Sequence, residues 1–235
     1  MKLCSQAILV LILVIFSACS FEGGNEGPLL IFSRDYDFNE SQHEWIHGFA
    51  EYPAGPDDST LYQLKYAYTD QVVDSKLTKK SVMLSGKNLN RDLFMFLKKK
   101  ITGLKPNTDY TLTFTVELAS EFEAAFLNAG GSVYLKAGAV DSEPEREIRS
   151  GNYVMNIDKG NQETAGTDMT SLGEIVTSGN NNYTLVTRNN AMANSRYVAR
   201  SNSAGELWLI IGTDSNLEAT TTVFYTRINV VFSAS

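Results

Sequence analysis

Between Thr108 and Leu118 the chain reads TDYTLTFTVEL, and apolar and polar residues alternate without a break. Tyr110, Leu112, Phe114, Val116 and Leu118 form one set; Asp109, Thr111, Thr113, Thr115 and Glu117 form the other. Side chains of a strand point alternately to two faces, so this segment is a strand with one face in a core and one in water. The stretch before it, GLKPNT from Gly103 to Thr108, is a turn: Pro106 presets φ and Asn107 tolerates a left-handed backbone. Upstream again, Leu93 to Leu97 is apolar at every position and reads as a strand covered on both faces. It ends in Lys98, Lys99 and Lys100, a run that reads as a solvated, edge-protecting feature rather than a polyanion site.

The same signals recur along the chain. Short β-branched and aromatic runs separated by Gly, Asn, Asp, Ser and Pro predict strands. They fall at Leu30–Arg34, Trp45–Tyr52, Leu61–Thr69, Ser81–Ser85, Leu93–Ile101, Thr108–Leu118, Ser132–Val140, Asn152–Ile157, Tyr183–Val186, Arg196–Ala199, Leu207–Thr213 and Thr222–Phe232. No amphipathic helix longer than about two turns and no repeat of solenoid or propeller period is visible. The stretches DSEPEREIRSG and SGNNNYT read as long polar loops. The chain is all-β by this reading.

The N-terminus has a different character. Lys2 precedes an almost unbroken aliphatic run from Ala7 to Phe16, which stops at Ser17 and Ala18 directly before Cys19. The run is well short of the ~20 residues a spanning helix needs, so it reads as a secretory signal. The pattern resembles a bacterial lipobox. The resemblance implies cleavage before Cys19, a diacylglyceryl thioether on its sulfur and acylation of the new amino terminus. Cys4, the other cysteine of the chain, would leave with the signal, so Cys19 has no disulfide partner and lipidation accounts for it. The expected organisation is a lipoprotein signal peptide over residues 1–18, a lipidated cysteine and flexible tether over 19–28, and one β-domain over 29–235. Losing the signal removes one charge, Lys2, and moves the formal net charge from −7 to −8. That balance excludes nucleic acid as a partner on electrostatic grounds. The expected location is the cell envelope outside the cytoplasm, with a membrane held through lipid.

ITGLKPNTDYTLTFTVEL is similar to the strand-turn-strand of galactose-binding-like β-sandwiches, which include many carbohydrate-binding modules. YDFNESQHEWIHGFAEYP resembles their opening strand and TTTVFYTRINVVF their closing one. The resemblance implies an antiparallel jelly-roll β-sandwich in a single domain. Where closing strands of that family usually carry an acid, this one has Arg227 and Asn229, so the family's frequent structural calcium does not carry over. NIDKGNQ and ELWLIIGTDSNLEATTTVFY resemble stretches of an uncharacterised family of bacterial lipoproteins, which brings no activity with it.

A search for catalytic chemistry returns little. There is no Gly-x-Ser-x-Gly elbow, and acylation removes Cys19 as a nucleophile. His43 and His47 sit in HEWIH, which mimics a zinc-protease motif, but the context reads as strand, where the two rings stand about 13 Å apart. No catalytic residue is assigned, and no cofactor. Calcium is possible at Glu143, Glu145 and Glu147, or at Asp214 with Glu218. Strand phase supplies the best candidates for binding. In the segment from Leu61 to Thr69, Tyr62, Leu64, Tyr66 and Tyr68 share the core face. Burying Leu207, Leu209 and Ile211 turns Trp208 outward; burying Phe224, Ile228, Val230 and Phe232 turns out Tyr225, Arg227 and Asn229. Burying Val133, Leu135, Ala137 and Ala139 turns out Tyr134 and Lys136. Rings beside charged and amide groups suit a saccharide. The leading expectation is therefore a lipid-anchored glycan-binding protein; an envelope assembly protein contacting other proteins comes second, and a glycan-active enzyme third.

Overall fold

The computed structural model describes residues 30–56, 58–73, 77–121, 131–177, 183–191 and 196–234. The signal segment, Cys19, the tether and most of SGNNNYT lie outside them. The larger of two main sheets has seven strands: β1 (Ile31–Asp37), β4 (Lys65–Val73), β5 (Leu77–Lys87), β7 (Asp109–Ser120), β12 (Thr184–Asn189), β13 (Val198–Arg200) and β15 (Thr220–Ala234). The smaller has five, in the order β11 (Met169–Glu174), β8 (Val133–Val140), β14 (Leu207–Ser215), β6 (Leu93–Ile101), β2 (Ile46–Ala50). A third small sheet joins β3 (Tyr52–Pro53), β10 (Asn152–Met155) and β9 (Arg146–Arg149), and a single turn of helix, α1, spans Asp58–Leu61. Every strand pairing among the described residues is antiparallel. From β5 to β8, and again from β14 to β15, the chain passes between the two main sheets, as a jelly-roll sandwich requires.

The alternating segment behaves as its pattern demands. Tyr110, Leu112, Phe114, Val116 and Leu118 are buried, and they share one core with Val133, Leu135 and Ala137 of β8 and with Leu207, Leu209 and Ile211 of β14. Each such large side chain contributes about 1.5–3 kcal/mol when fully buried. The turn before β7 uses the residues expected, with Gly103 at φ 77° and Asn107 at φ 49°. Tyr110 fastens it by accepting at its hydroxyl from the Lys105 amide, 2.9 Å away.

In β15 the phase is broken. The register slips between Tyr225 and Arg227 where β15 meets β7, and Thr226 is the additional residue. Val223 and Tyr225 therefore point into the core on one side of this bulge, and Ile228, Val230 and Phe232 do so on the other. Tyr225 is fully buried, which corrects its placement as an outward, ligand-facing ring. Phe224 lies on the opposite face, in a small cluster with Ala119, Met83, Tyr183 and Leu185.

Two strands carry no period-2 signal, and others differ in extent from their sequence pattern. In β9, Arg146–Arg149 lies inside the stretch taken as loop; REIR is exposed at every position, so it carries no apolar phase. In β11 the sequence MTSLGE is interrupted by a bulge between Ser171 and Gly173. The segment expected to be one strand from Leu61 instead leaves α1, turns at Gln63 (φ 49°) and only then enters β4. Its tyrosine face is still the covered one: Tyr62 is buried, while Leu64, Tyr66 and Tyr68 pack against the core.

Candidate functional site

The smaller sheet has one face on the core and one turned away from it. Registers align side chains on the outer face in rows: Ile46, Lys98 and Ile210 stand opposite Gly138, and Gly48, Phe96 and Gly212 run to Lys136. Half of this face is covered. Ala50, Phe94, Phe96, Ile210, Met155 and Met169 make a second apolar cluster beneath the β9–β10 hairpin and the loop that follows it. That loop, residues 156–168, comes very close. A Cβ at Gly138 would lie 2.1 Å from the Asp168 carbonyl oxygen, and one at Gly160 (φ 70°) would lie 2.4 Å from that of Thr164.

Three charges are sealed beneath the loop. Lys136 and Asp214 have no exposed surface and Lys159 has 7%. The Lys159 Nζ donates to Asp214 Oδ2 at 2.7 Å; the Lys136 Nζ donates to the carbonyls of Asn161 and Thr164 at 2.7 and 2.8 Å and lies 3.7 Å from Asp214. Buried charge survives only when paired and hydrogen-bonded, and here the pairing pins the loop to the sheet. Burial also pushes the carboxyls of Glu51 and Asp92 up, with the Lys159 charge opposing the rise. Lys136 thus faces away from the core as expected, but it is not available to a ligand. The sequence could not show this, because the cover comes from residues 156–168.

The uncovered half of the face carries a groove of about 430 Å³ lined by Ile46, His47, Gly48, Phe49, Phe96, Lys98, Glu145 and Arg146. Ile46 is 47% exposed there. Lys98, Arg146 and His47 are each held at the groove. Lys98 donates to Glu143 Oε1 at 2.6 Å and to the Pro144 carbonyl at 2.8 Å. Arg146 Nη1 donates to the Tyr52 hydroxyl at 2.7 Å, and its guanidinium carbon lies 4.0 Å from the Tyr153 ring centre. The His47 ring stacks on Tyr66 with centroids 3.8 Å apart, and partial burial pulls its pKa down. Trp208, half-buried, stands on the far side of Lys98, whose ammonium is 5.5 Å from the indole centre.

The residues predicted from strand phase do not gather in one place. Trp208, Lys136 and Tyr134 share the outer face of the smaller sheet. However, Tyr134 pairs with Asp214 and Trp208 with Val140, six residues apart on β14, or roughly 20 Å at the rise of a strand. Arg227 and Asn229 lie on the outer face of the other sheet. There Arg227 Nε and Asn229 Nδ2 both donate to Asp35 Oδ1, at 2.9 and 3.3 Å, and Arg227 holds the Asp35 carboxyl below the usual carboxylate range. The shallow depression beside them, about 280 Å³, is lined by Asp35, Thr115, Glu117, Thr187, Arg227 and Asn229 and contains no ring.

Four of the five acids suggested for calcium are engaged in ion pairs. Glu143 pairs with Lys98, Glu147 with Arg149, Asp214 with the two buried lysines and Glu218 with Arg91. Among the described residues no three His, Cys, Asp or Glu side chains converge as metal ligands. His43 sits in a turn at φ 49°, its Nε2 2.8 Å from the Asp37 carbonyl oxygen, and takes no part with His47.

No protein-family model matches the chain, and neither does any curated protein. Among solved structures, the chain is similar to a bacteriophage CBA120 tailspike protein over 82% of its length at 10% identity and a TM-score of 0.39, spanning only 20% of that protein. It is similar to TmCBM27, a carbohydrate-binding module that recognises mannan, at 14% identity and a TM-score of 0.40, covering 87% of this chain and 98% of the module. It is also similar to a Stig cyclase from Fischerella sp. TAU at 12% identity and a TM-score of 0.36, covering 86% and 85%. These three differ in function and lie far from this chain, so the functional reading rests on its own residues.

Proposed function

We propose that this chain is a lipid-anchored, extracytoplasmic protein that binds glycan in the groove between β2, β6 and β9. One observation supports it above the others: an open groove of about 430 Å³ in which the exposed apolar side chain of Ile46 lies among Lys98, Glu145 and Arg146, beside a half-buried tryptophan. A sugar presents the same mixture, with flat carbon faces ringed by hydroxyls, and a pocket that orients it needs a few fixed polar groups among apolar ones. The polar groups here are fixed, since Lys98 and Arg146 are each tied to neighbours before any ligand arrives. Little side-chain ordering is then left for binding to cost.

The test is retention of the purified domain in polysaccharide affinity gels, with Phe96 left intact as core. Trp208→Ala is expected to keep the fold and to weaken retention severalfold, as loss of one ring contact of about 1 kcal/mol implies. A melting temperature lowered by many degrees, with the residual folded protein binding as before, would show that the indole only packs.

A further inference from the structure

We infer that the groove takes glycans bearing carboxylates, uronic acid polymers above all, and that Arg146 is the residue that reads the carboxylate; the inference rests on the glycan-binding reading above. Arg146 is on an exposed strand, yet its guanidinium is not loose. One N–H is spent on Tyr52, a 2% exposed tyrosine, and the guanidinium carbon lies over the Tyr153 ring, 4.0 Å from its centre, so two contacts restrain the group. None of the ion pairs among the described residues includes Arg146, although acids outnumber lysines and arginines 27 to 20. Lys98, the other cation of the groove, is already neutralised by Glu143. Among the described residues, Arg146 is thus the groove cation without an acid of its own. A planar fork held by a ring contact and one hydrogen bond matches a carboxylate with two parallel N–H donors, which an ammonium cannot do. Glu145, on the same groove, suits the other half of such a sugar by accepting from its hydroxyls.

The protein as a whole is acidic, at −7, so its long-range field works against an anionic polymer. Recognition must therefore come from short-range geometry. That separates the geometry of the fork from simple charge: Arg146→Lys keeps the charge and loses the fork. Affinity electrophoresis of the purified chain in polygalacturonate, in alginate and in the same polymers after carboxyl reduction, with a neutral mannan and a neutral glucan alongside, tests the inference. Expected is retention by at least one acidic polymer that falls tenfold or more on carboxyl reduction. A comparable fall is expected in both Arg146→Lys and Arg146→Gln, with melting temperatures unchanged. Equal retention by the reduced polymer, or retention unaffected by Arg146→Gln, overturns it. Retention by neutral polymers alone overturns it while leaving glycan binding standing, and retention by none of the polymers overturns both.

Discussion

Lys136 shows how far a single residue can depart from what its neighbours in sequence suggest. In VYLKAGAV it looks like the wet position of a half-buried strand, yet it has no exposed surface, and burial pulls its pKa from 10.5 to about 8 despite the nearby Asp214 charge. The unfolded chain then binds a proton that the native chain has released between about pH 8 and pH 10, so stability should rise with pH across that window. Tyr36, Tyr183, Tyr197 and Tyr225, whose pKa values burial raises, act in the opposite sense as pH nears 10, so the comparison is with Lys136→Met: between pH 8 and pH 9 the melting temperature of the native protein is expected to rise relative to that of the variant. No relative rise would mean that Asp214, Lys159 and the carbonyls of Asn161 and Thr164 hold the ammonium charged throughout. Arg227 is the opposite case. Its pair with Asp35 is about half exposed, and Arg227→Ala should cost well under 1 kcal/mol by chemical denaturation, as exposed ion pairs do.

Among the elements, β15 carries the most consequence per residue. It pairs with β7 along nearly its whole length, and on its other edge with β5 and then β1, so its phase decides which residues of the large sheet are inside. Thr226 resets that phase, and its hydroxyl, which donates to the Glu117 carbonyl at 3.1 Å and carboxylate at 2.7 Å, secures the bulge. Deleting Thr226 would force a choice between turning Tyr225 and Val223 out of the core and turning Ile228, Val230 and Phe232 out. Either turns out two or three buried side chains, at about 2–5 kcal/mol each, so the deletion variant should fail to give a cooperative melt. By contrast Thr226→Ser keeps both the residue count and the hydroxyl and should melt within a few degrees of the native chain.

At the scale of the molecule, a sandwich without a cysteine among its described residues depends on burial alone, and the groove opens on the side of the small sheet that the hairpin and loop leave bare. The proposed membrane attachment lies in residues 1–28. Cys19→Ser should abolish incorporation of labelled fatty acid and move the protein from the membrane to the soluble fraction; unchanged mass and unchanged membrane retention would refute the anchor. What the sequence determined by itself is what local periodicity can carry. The strand nature of β6 follows from its continuous apolarity, and the strand nature and inner face of β7, β8 and β14 follow from alternation within each segment. So does the turn at Gly103 and Asn107, because each property is decided by residues within a few positions of one another. Three features come from long-range packing instead: that Tyr225 is inside, since a bulge exists only relative to a partner strand; that Lys136 is sealed, since its cover comes from residues 156–168; and that Arg146 borders the groove, since REIR has no apolar phase and is placed by its pairing with β10. Burial on the second face of a sheet depends on which distant segment settles over it, and no window of sequence contains both.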